Sequence, residues 1–350
     1  MAGFLCVDTQ KSIMQRVSYF GMVFLCAIIF VSCRNDIVSR TKISGRPGDL
    51  IIVTPEETWG GQAGEAMRQV LMRPQAGLPQ EEPIFSVINV PTNAFKDVFK
   101  TNRNIIYTRI SPTLGLSKVE LKTDVWARQQ SVINVFAKNT EEFIDIFNSN
   151  SEQIVEYILK SERDRLQMDN ARFREKEIGS LLKDRFGIEM DIPLGYKVVR
   201  ETDNLMWMLY QSTPEVIQSI VAYTFPYVSD STFTRDYLLG MRDSIMYSEN
   251  VADSSYMVTE RVLDAVFQEF HFNDNYAVEI RGLCKFENDF MGGPFVSLTV
   301  HDESDNRVIV VDGCVYAPTK DKRNFLRQVE AIAYSLRLSQ EKNKFTLAND

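Results

Sequence analysis

Between Thr140 and Gly187 the sequence carries one long helical pattern, and on both sides of it the chain is patterned mainly as strands. Phe143, Phe147, Ile154, Ile158, Leu166, Phe173, Leu181 and Leu182 form only a thin apolar stripe, with a break near residues 148–150, and Gly187 supplies the stop. Glu162-Arg163-Asp164-Arg165 and residues 172–177 are charged on most sides, so the middle of this segment is expected to face water. A chain of 350 residues exceeds one ordinary core. The expectation is therefore an α+β protein of two sheet-plus-helix halves joined by a long charged helix. An N-terminal α+β domain spans 47–139, the connecting helix 140–187 and a C-terminal α+β domain 188–338.

In the first half, Leu50-Ile51-Ile52-Val53 is a continuous apolar run suited to a strand buried on both faces. Trp59-Gly60-Gly61-Gln62-Ala63-Gly64 leads into Ala63, Ala66, Met67, Val70 and Leu71 at helical spacing. Such a loop can cradle an anion at a helix start, but it lacks GxGxxG spacing and a following Lys-Ser/Thr, so it is read as a tight turn under Trp59. Residues 84–90, 104–110, 118–121 and 130–137 are read as further strands. In the second half, residues 188–196, 205–210 and 217–223 are read as three antiparallel strands, and 232–247 as an amphipathic helix. Three more strands at 276–286, 295–301 and 307–316 follow as a meander, and Phe325, Leu326, Val329, Ile332, Ala333 and Leu336 give a last helix with an apolar face.

Ahead of all this lies a run free of charge from Val17 to Cys33, preceded by Arg16 and ended by Arg34. A positive flank, a short apolar core and small residues before the break mark residues 1–32 as a signal peptide, with Met1 or Met14 as initiator. Phe30-Val31-Ser32-Cys33 resembles a bacterial lipobox, with Phe30 in place of the usual Leu, so Cys33 is the expected lipidation site. Residues 33–46 then read as a flexible tether and 339–350 as a disordered tail. The expected location is the cell envelope, lipid-anchored on the periplasmic face of the outer membrane.

With a net charge of −8 and a hydrophobic content of 44%, the chain is a folded acidic protein ill suited to nucleic acid. Two histidines, no CxxC and no HExxH argue against a metal site, and no GxSxG elbow is present, so neither cofactor nor metal nor nucleophilic triad is expected. Cys284 and Cys314 alone would remain in the mature body. In a meander their strands lie ~9.6 Å apart, which predicts two buried thiols and no disulfide. Carboxylates such as Glu279 with Asp302 or Asp312 leave open a glycan-cleaving pair, which spacing in the chain does not test.

Alternation along the C-terminal strands puts Val278, Ile280, Val296, Leu298 and Val300 on an apolar face, and Glu279, Arg281, Ser297, Thr299 and His301 on a polar one. Glu279, Arg281, Ser297 and Thr299 are the candidate binding surface. Gly45-Arg46-Pro47, Trp59-Gly60, Leu78-Pro79-Gln80, Trp126-Ala127, Glu279-Ile280-Arg281-Gly282, Met291-Gly292-Gly293-Pro294-Phe295 and Tyr316-Ala317-Pro318 together resemble an uncharacterised family of Bacteroidota envelope lipoproteins, a domain of unknown function of the DUF4837 type. The resemblance spans nearly all of the mature chain and implies no activity. The function expected is a non-enzymatic binding or support module, held to the membrane through Cys33 and meeting another envelope protein or a glycan. The alternative is a periplasmic enzyme acting on glycan or peptide through carboxylates.

Overall fold

The computed structural model describes residues 41–248 and 256–339; the signal peptide, Cys33 and the tail beyond Ser339 lie outside the described residues. It is an α+β structure, 32% helical and 40% strand. The first sheet holds β1 (Asp49–Val53), β2 (Ser86–Val90), β3 (Asn104–Ile110), β4 (Lys118–Thr123) and β5 (Ser131–Ala137) in the order β2-β1-β3-β5-β4, with only β4 antiparallel. Leu50 and Ile52 of β1 pack under α1 (Gln62–Leu71), α2 (Thr140–Ser149) and α3 (Ser151–Arg172). Ile51 and Val53 pack on the other face with Phe95, Phe99 and Trp126. A strand covered on both sides has no polar positions to offer, which is why its sequence is an unbroken apolar run.

The turn at Trp59 is tight because Gly64 sits against it: a Cβ there would lie 1.9 Å from the Trp59 carbonyl oxygen. Arg68 donates from Nη1 to that oxygen at 2.6 Å and stacks over the Trp59 ring at 5.0 Å. The glycine loop therefore closes on its own helix.

The region expected as one long helix is three: α2, α3 and α4 (Lys176–Phe186), broken at Asn150 and at 173–175, with the 22-residue α3 the longest. Its middle is not solvated. Glu162 is 2% exposed and Arg165 5%. Glu162 Oε1 accepts from Asn104 Nδ2 at 2.6 Å and from Arg165 Nη1 at 2.9 Å, and lies 2.8 Å from Arg103 Nε. The charge run packs inward because β3 and the loop before it supply its partners.

The second sheet is antiparallel and eight-stranded among the described residues. Its strands are β6 (Lys197–Glu201), β7 (Leu205–Thr213), β8 (Val216–Pro226), β9 (Tyr256–Glu260), β10 (Val266–Phe272), β11 (Asn275–Glu287), β12 (Gly292–Asp302) and β13 (Arg307–Tyr316). They run β9-β11-β12-β13-β8-β7-β6, and β10 shares the edge of β11 with β9. The meander β11-β12-β13 is as expected. The expected strand at 188–196 is only Ile188–Glu189, which pairs with Arg337–Leu338 instead of joining this sheet. Helix α5 (Arg235–Ser248) covers one face; α6 (Arg323–Ala333) and α4 cover the other. Gly313 of β13 lets α6 descend onto the sheet, since a Cβ there would lie 2.8 Å from the Val329 Cβ.

Cys284 on β11 and Cys314 on β13 are both buried and free, with β12 between their strands. Hydrogen bonding from Cys314 lowers the Cys284 pKa despite burial, while Cys314 is raised well above its ordinary value. Alkylation of the unfolded protein without reductant is expected to modify both cysteines. Protection of both would show that the two thiols, in contact across β12, have closed a disulfide.

The two sheet-bearing parts join into one compact unit. Glu82, from the loop before β2, caps α6: its Oε1 accepts from the Lys322 N–H at 2.6 Å and its Oε2 from the Arg323 N–H at 3.0 Å. A carboxylate at that end satisfies open backbone donors and complements the helix dipole. Arg323 donates from Nη1 to the Pro83 carbonyl at 2.6 Å, and Gln167 of α3 from Nε2 to the Ala331 carbonyl at 3.2 Å.

Candidate functional site

Helix α6 carries two stripes. Leu326, Val329, Ile332 and Ala333 enter the core over the second sheet. Arg323, Arg327, Glu330 and Tyr334, spaced by four, three and four residues, turn towards α3 and the first half. Between α6, α3 and strands β10 and β11 lies a cavity of about 570 Å³, where residues of both halves converge.

Its floor is an alternating chain of charges. Arg281 of β11 donates from Nε and Nη2 to Glu279 at 2.6 and 2.8 Å, and from Nη1 to Glu330 Oε2 at 3.1 Å. Arg163 of α3 donates from Nη1 to Glu330 Oε1 at 2.9 Å, and its guanidinium lies 4.0 Å from the centre of the Tyr334 ring. The Tyr334 hydroxyl donates to Glu279 Oε2 at 2.6 Å. Burial pushes the Glu330 carboxyl up, but Arg281 and Arg163 together outweigh it and hold its pKa at about 2. Burial and the charges of Glu279 and Glu330 drive the Tyr334 hydroxyl far above its ordinary value. At neutral pH Glu330 is therefore a fixed anion and Tyr334 a fixed donor. Such groups can orient a polar ligand but cannot exchange protons with it.

The four residues expected to share one wet face are divided. In the register of β11 with β12, Ile280 faces Ser297 and Val278 faces Thr299, whereas Glu279 faces Leu298 and Arg281 faces Val296. Paired residues share a face, so Glu279 and Arg281 project towards α6, and Ser297 and Thr299 towards the α5 side. Neither face is wet: Glu279 is 6% exposed, Ser297 4% and Thr299 1%. The expectation of a solvent-facing polar surface is thus corrected, because a helix covers each side of the sheet. Glu279 and Arg281 come together at the cavity; Ser297 and Thr299 do not join them.

Nor do the acids considered with Glu279 reach it. Asp312 pairs across from Ser297, on the opposite face, and is bound by Arg242. Asp302 ends β12 and is bound by Arg307 and Ser304. No cluster among the described residues has three His, Cys, Asp or Glu groups placed to hold a metal. A second cavity of about 660 Å³ borders Phe272, Asn273 and Leu338, with Glu189 and Arg337 as the charged residues in its wall. Asn275, Ser304 and Ser339 add neutral polar groups to that wall. Arg163, Arg327, Glu330 and Tyr334 were not expected at a site. Their regular spacing beside the apolar stripe of α6 is the signal that marks three of them, since a helix face meant only for water needs no such order.

Residues 175–335 match the model of a domain of unknown function (DUF4837), the family the sequence resemblance implied; that resemblance was expected to span nearly all of the mature chain, but residues 43–171, with the motifs from Gly45 to Ala127, match the model of another domain of unknown function (DUF8532). The two matches meet between α3 and α4. Among curated proteins, none matches the sequence. Solved structures overlap only weakly. The Saccharomyces cerevisiae Ran-binding protein Mog1p is 10% identical with a TM-score of 0.31, covering 45% of this chain and 92% of that one. A mutant of Mog1 gives 10%, 0.29, 45% and 93% in the same measures. A protein from Bacteroides thetaiotaomicron VPI-5482 gives 12%, 0.19, 45% and 46%.

Proposed function

We propose that this chain, whose residues 175–335 match the DUF4837 model, is a lipid-anchored protein of the cell envelope that binds a polar partner in the cleft between its halves and does no chemistry on it. The observation carrying the binding reading is the cleft floor, where Glu279 and Glu330 are each held by arginine and Tyr334 is held protonated. Charges fixed in this way present a constant pattern to a glycan or to another envelope protein, the partner classes the compartment would offer. A catalytic cleft would instead need a carboxyl poised near neutral pH.

The anchoring half of the proposal rests on the uncharged run that ends at Cys33 and on the polar segment after it; the expected tether stops short of residue 46, since Thr41–Lys42 pairs with Ala127–Arg128. Cys33→Ala is expected to lose palmitate labelling and to leave the outer-membrane fraction; labelling that persists in the variant defeats the anchor. For the cleft, Val266 is 45% exposed on its rim, so Val266→Arg is expected to fill the mouth without lowering the melting temperature. Affinity capture should then recover an envelope component with the wild type and lose it with Val266→Arg. Equal recovery by both, or turnover of a glycan or peptide by the purified wild type, would overturn the binding reading.

A further inference from the structure

The first described residues lie beside an exposed apolar corner. Thr41–Lys42 pairs in parallel with Ala127–Arg128, and Gln129, next along, donates from Nε2 to the Met168 sulfur at 3.5 Å. Met168 and Arg172 stand one turn apart near the end of α3, so they share a face. Phe173 closes that helix, and its carbonyl accepts from the Leu194 N–H at 2.9 Å. Met168 is 46% exposed, Phe173 54% and Leu194 56%. Lys42, Arg128 and Arg172 are exposed beside them, and the Arg172 guanidinium lies 5.0 Å from the Phe173 ring centre. Of the acids nearby, Asp191 is bound by Arg174 and Arg337 and Glu175 by the Gly195 N–H, while Asp169 is exposed.

Apolar side chains scattered singly on a surface need no explanation, but three grouped at one corner and bordered by arginine and lysine have the make-up of an interfacial surface. We propose that this corner rests on the bilayer that holds Cys33, with Met168, Phe173 and Leu194 dipping into the headgroup region and Lys42, Arg128 and Arg172 meeting lipid phosphates. This deepens the anchoring half of the reading above and rests on it. The length of chain favours this corner. Eight residues lead from Cys33 to Thr41, and fully extended they span at most about 28 Å. An acylated Cys33 therefore keeps Thr41 within that distance of the membrane, and the surface around Thr41 is the one presented to lipid. A second apolar tip competes for the same role. Phe290, in the turn between β11 and β12, is fully exposed, but Glu287 and Asp289 flank it. It also stands beyond the far end of β11. The near end of β11 follows Asn273, which donates to the Leu336 carbonyl, next to the Arg337 that binds Asp191. The thirteen residues of the strand put about 40 Å between its two ends.

The acylated protein in vesicles of phosphatidylethanolamine and phosphatidylglycerol in equal parts, with and without nitroxide-bearing lipid, tests this. Phe173→Cys, Leu194→Cys and Phe290→Cys each take a thiol-reactive fluorophore, since Cys284 and Cys314 are buried and Cys33 carries the lipid. Flotation of the parent protein with the vesicles judges the anchor by itself; a parent that stays in solution would defeat both the anchor and this inference. With the floating variants, nitroxide lipid is expected to remove most of the emission at positions 173 and 194 and little of it at 290. Iodide in the water should quench the label at 290 and spare the other two. Lipid quenching at 290 without any at 173 and 194, or iodide quenching at all three, would overturn the membrane-facing corner while leaving the anchor standing. Shielding of 173 and 194 from iodide without lipid quenching would overturn it as well, and would assign the corner to contact with a second copy of the chain.

Discussion

Asp312→Ala is expected to destabilise the protein by about 3–5 kcal/mol, the cost of leaving a buried charge without its partner. Arg242 and Asp312 are each 1% exposed, and Arg242 donates from Nε and Nη2 to the two carboxylate oxygens at 2.8 and 3.2 Å. The guanidinium also stacks 4.0 Å from the Phe295 ring centre and donates from Nη1 to Thr259 Oγ1 at 3.3 Å. Removing the acid leaves this cation in the core between α5 and the second sheet with only the longer contact to Asp243 Oδ1 at 3.8 Å. Removing both charges does not: Arg242→Met with Asp312→Leu is expected to lie within about 1 kcal/mol of the wild type, because two desolvation costs vanish with the attraction. Urea unfolding of the three proteins measures this. A single variant as stable as the double one would mean that water reaches Arg242 and that the pair is not a buried one.

Glu330→Gln is expected to cost about 3 kcal/mol at neutral pH and to change how stability depends on acid. Glu330 joins Arg281 of β11 to Arg163 of α3, so its charge also holds the two halves against each other. Its folded pKa of about 2 lies below the ordinary 4.5. The stabilisation it gives is therefore complete above about pH 4.5 and is lost as pH falls towards 2. Between pH 7 and pH 3 the wild type should lose more stability than Glu330→Gln, whose side chain does not titrate. Equal losses, read from urea midpoints at the two pH values, would show that another carboxyl governs the acid limb. For the same reason Glu279→Ala with Arg281→Ala, which a wet surface would tolerate, is expected to lower the melting temperature.

Much of the framework was legible in the chain. The meander at 276–316, the buried β1 and the apolar stripe of α6 follow from periodicities of two and 3.6 residues, which local burial imposes directly on residue type. Strands β6 and β10 were missed because Lys197-Val198-Val199-Arg200-Glu201 and Val266-Phe267-Gln268-Glu269-Phe270-His271-Phe272 mix exposed and half-buried positions. The turn between β10 and β11 uses Asn273 and Asp274 at φ of 48° and 67°, without the glycine that usually announces such a hairpin.

What the sequence by itself determined was the type of most elements, the acidic α+β character, and the expectation of an exported chain with Cys33 at its start. Only the tertiary structure decided where the charges point. The pairing of Ile280 with Ser297 assigns each polar side chain of β11 and β12 to a face, and a shift of one residue would exchange the faces. Glu162, Arg163 and Arg165 look solvated on an isolated helix, yet their partners Asn104, Arg103 and Glu330 arrive from distant segments. Glu279, Arg281, Arg327 and Glu330 share one cavity for the same reason. Burial of a charge depends on which partners the folded chain delivers to it, and no local pattern encodes partners that stand 58 to 167 residues away.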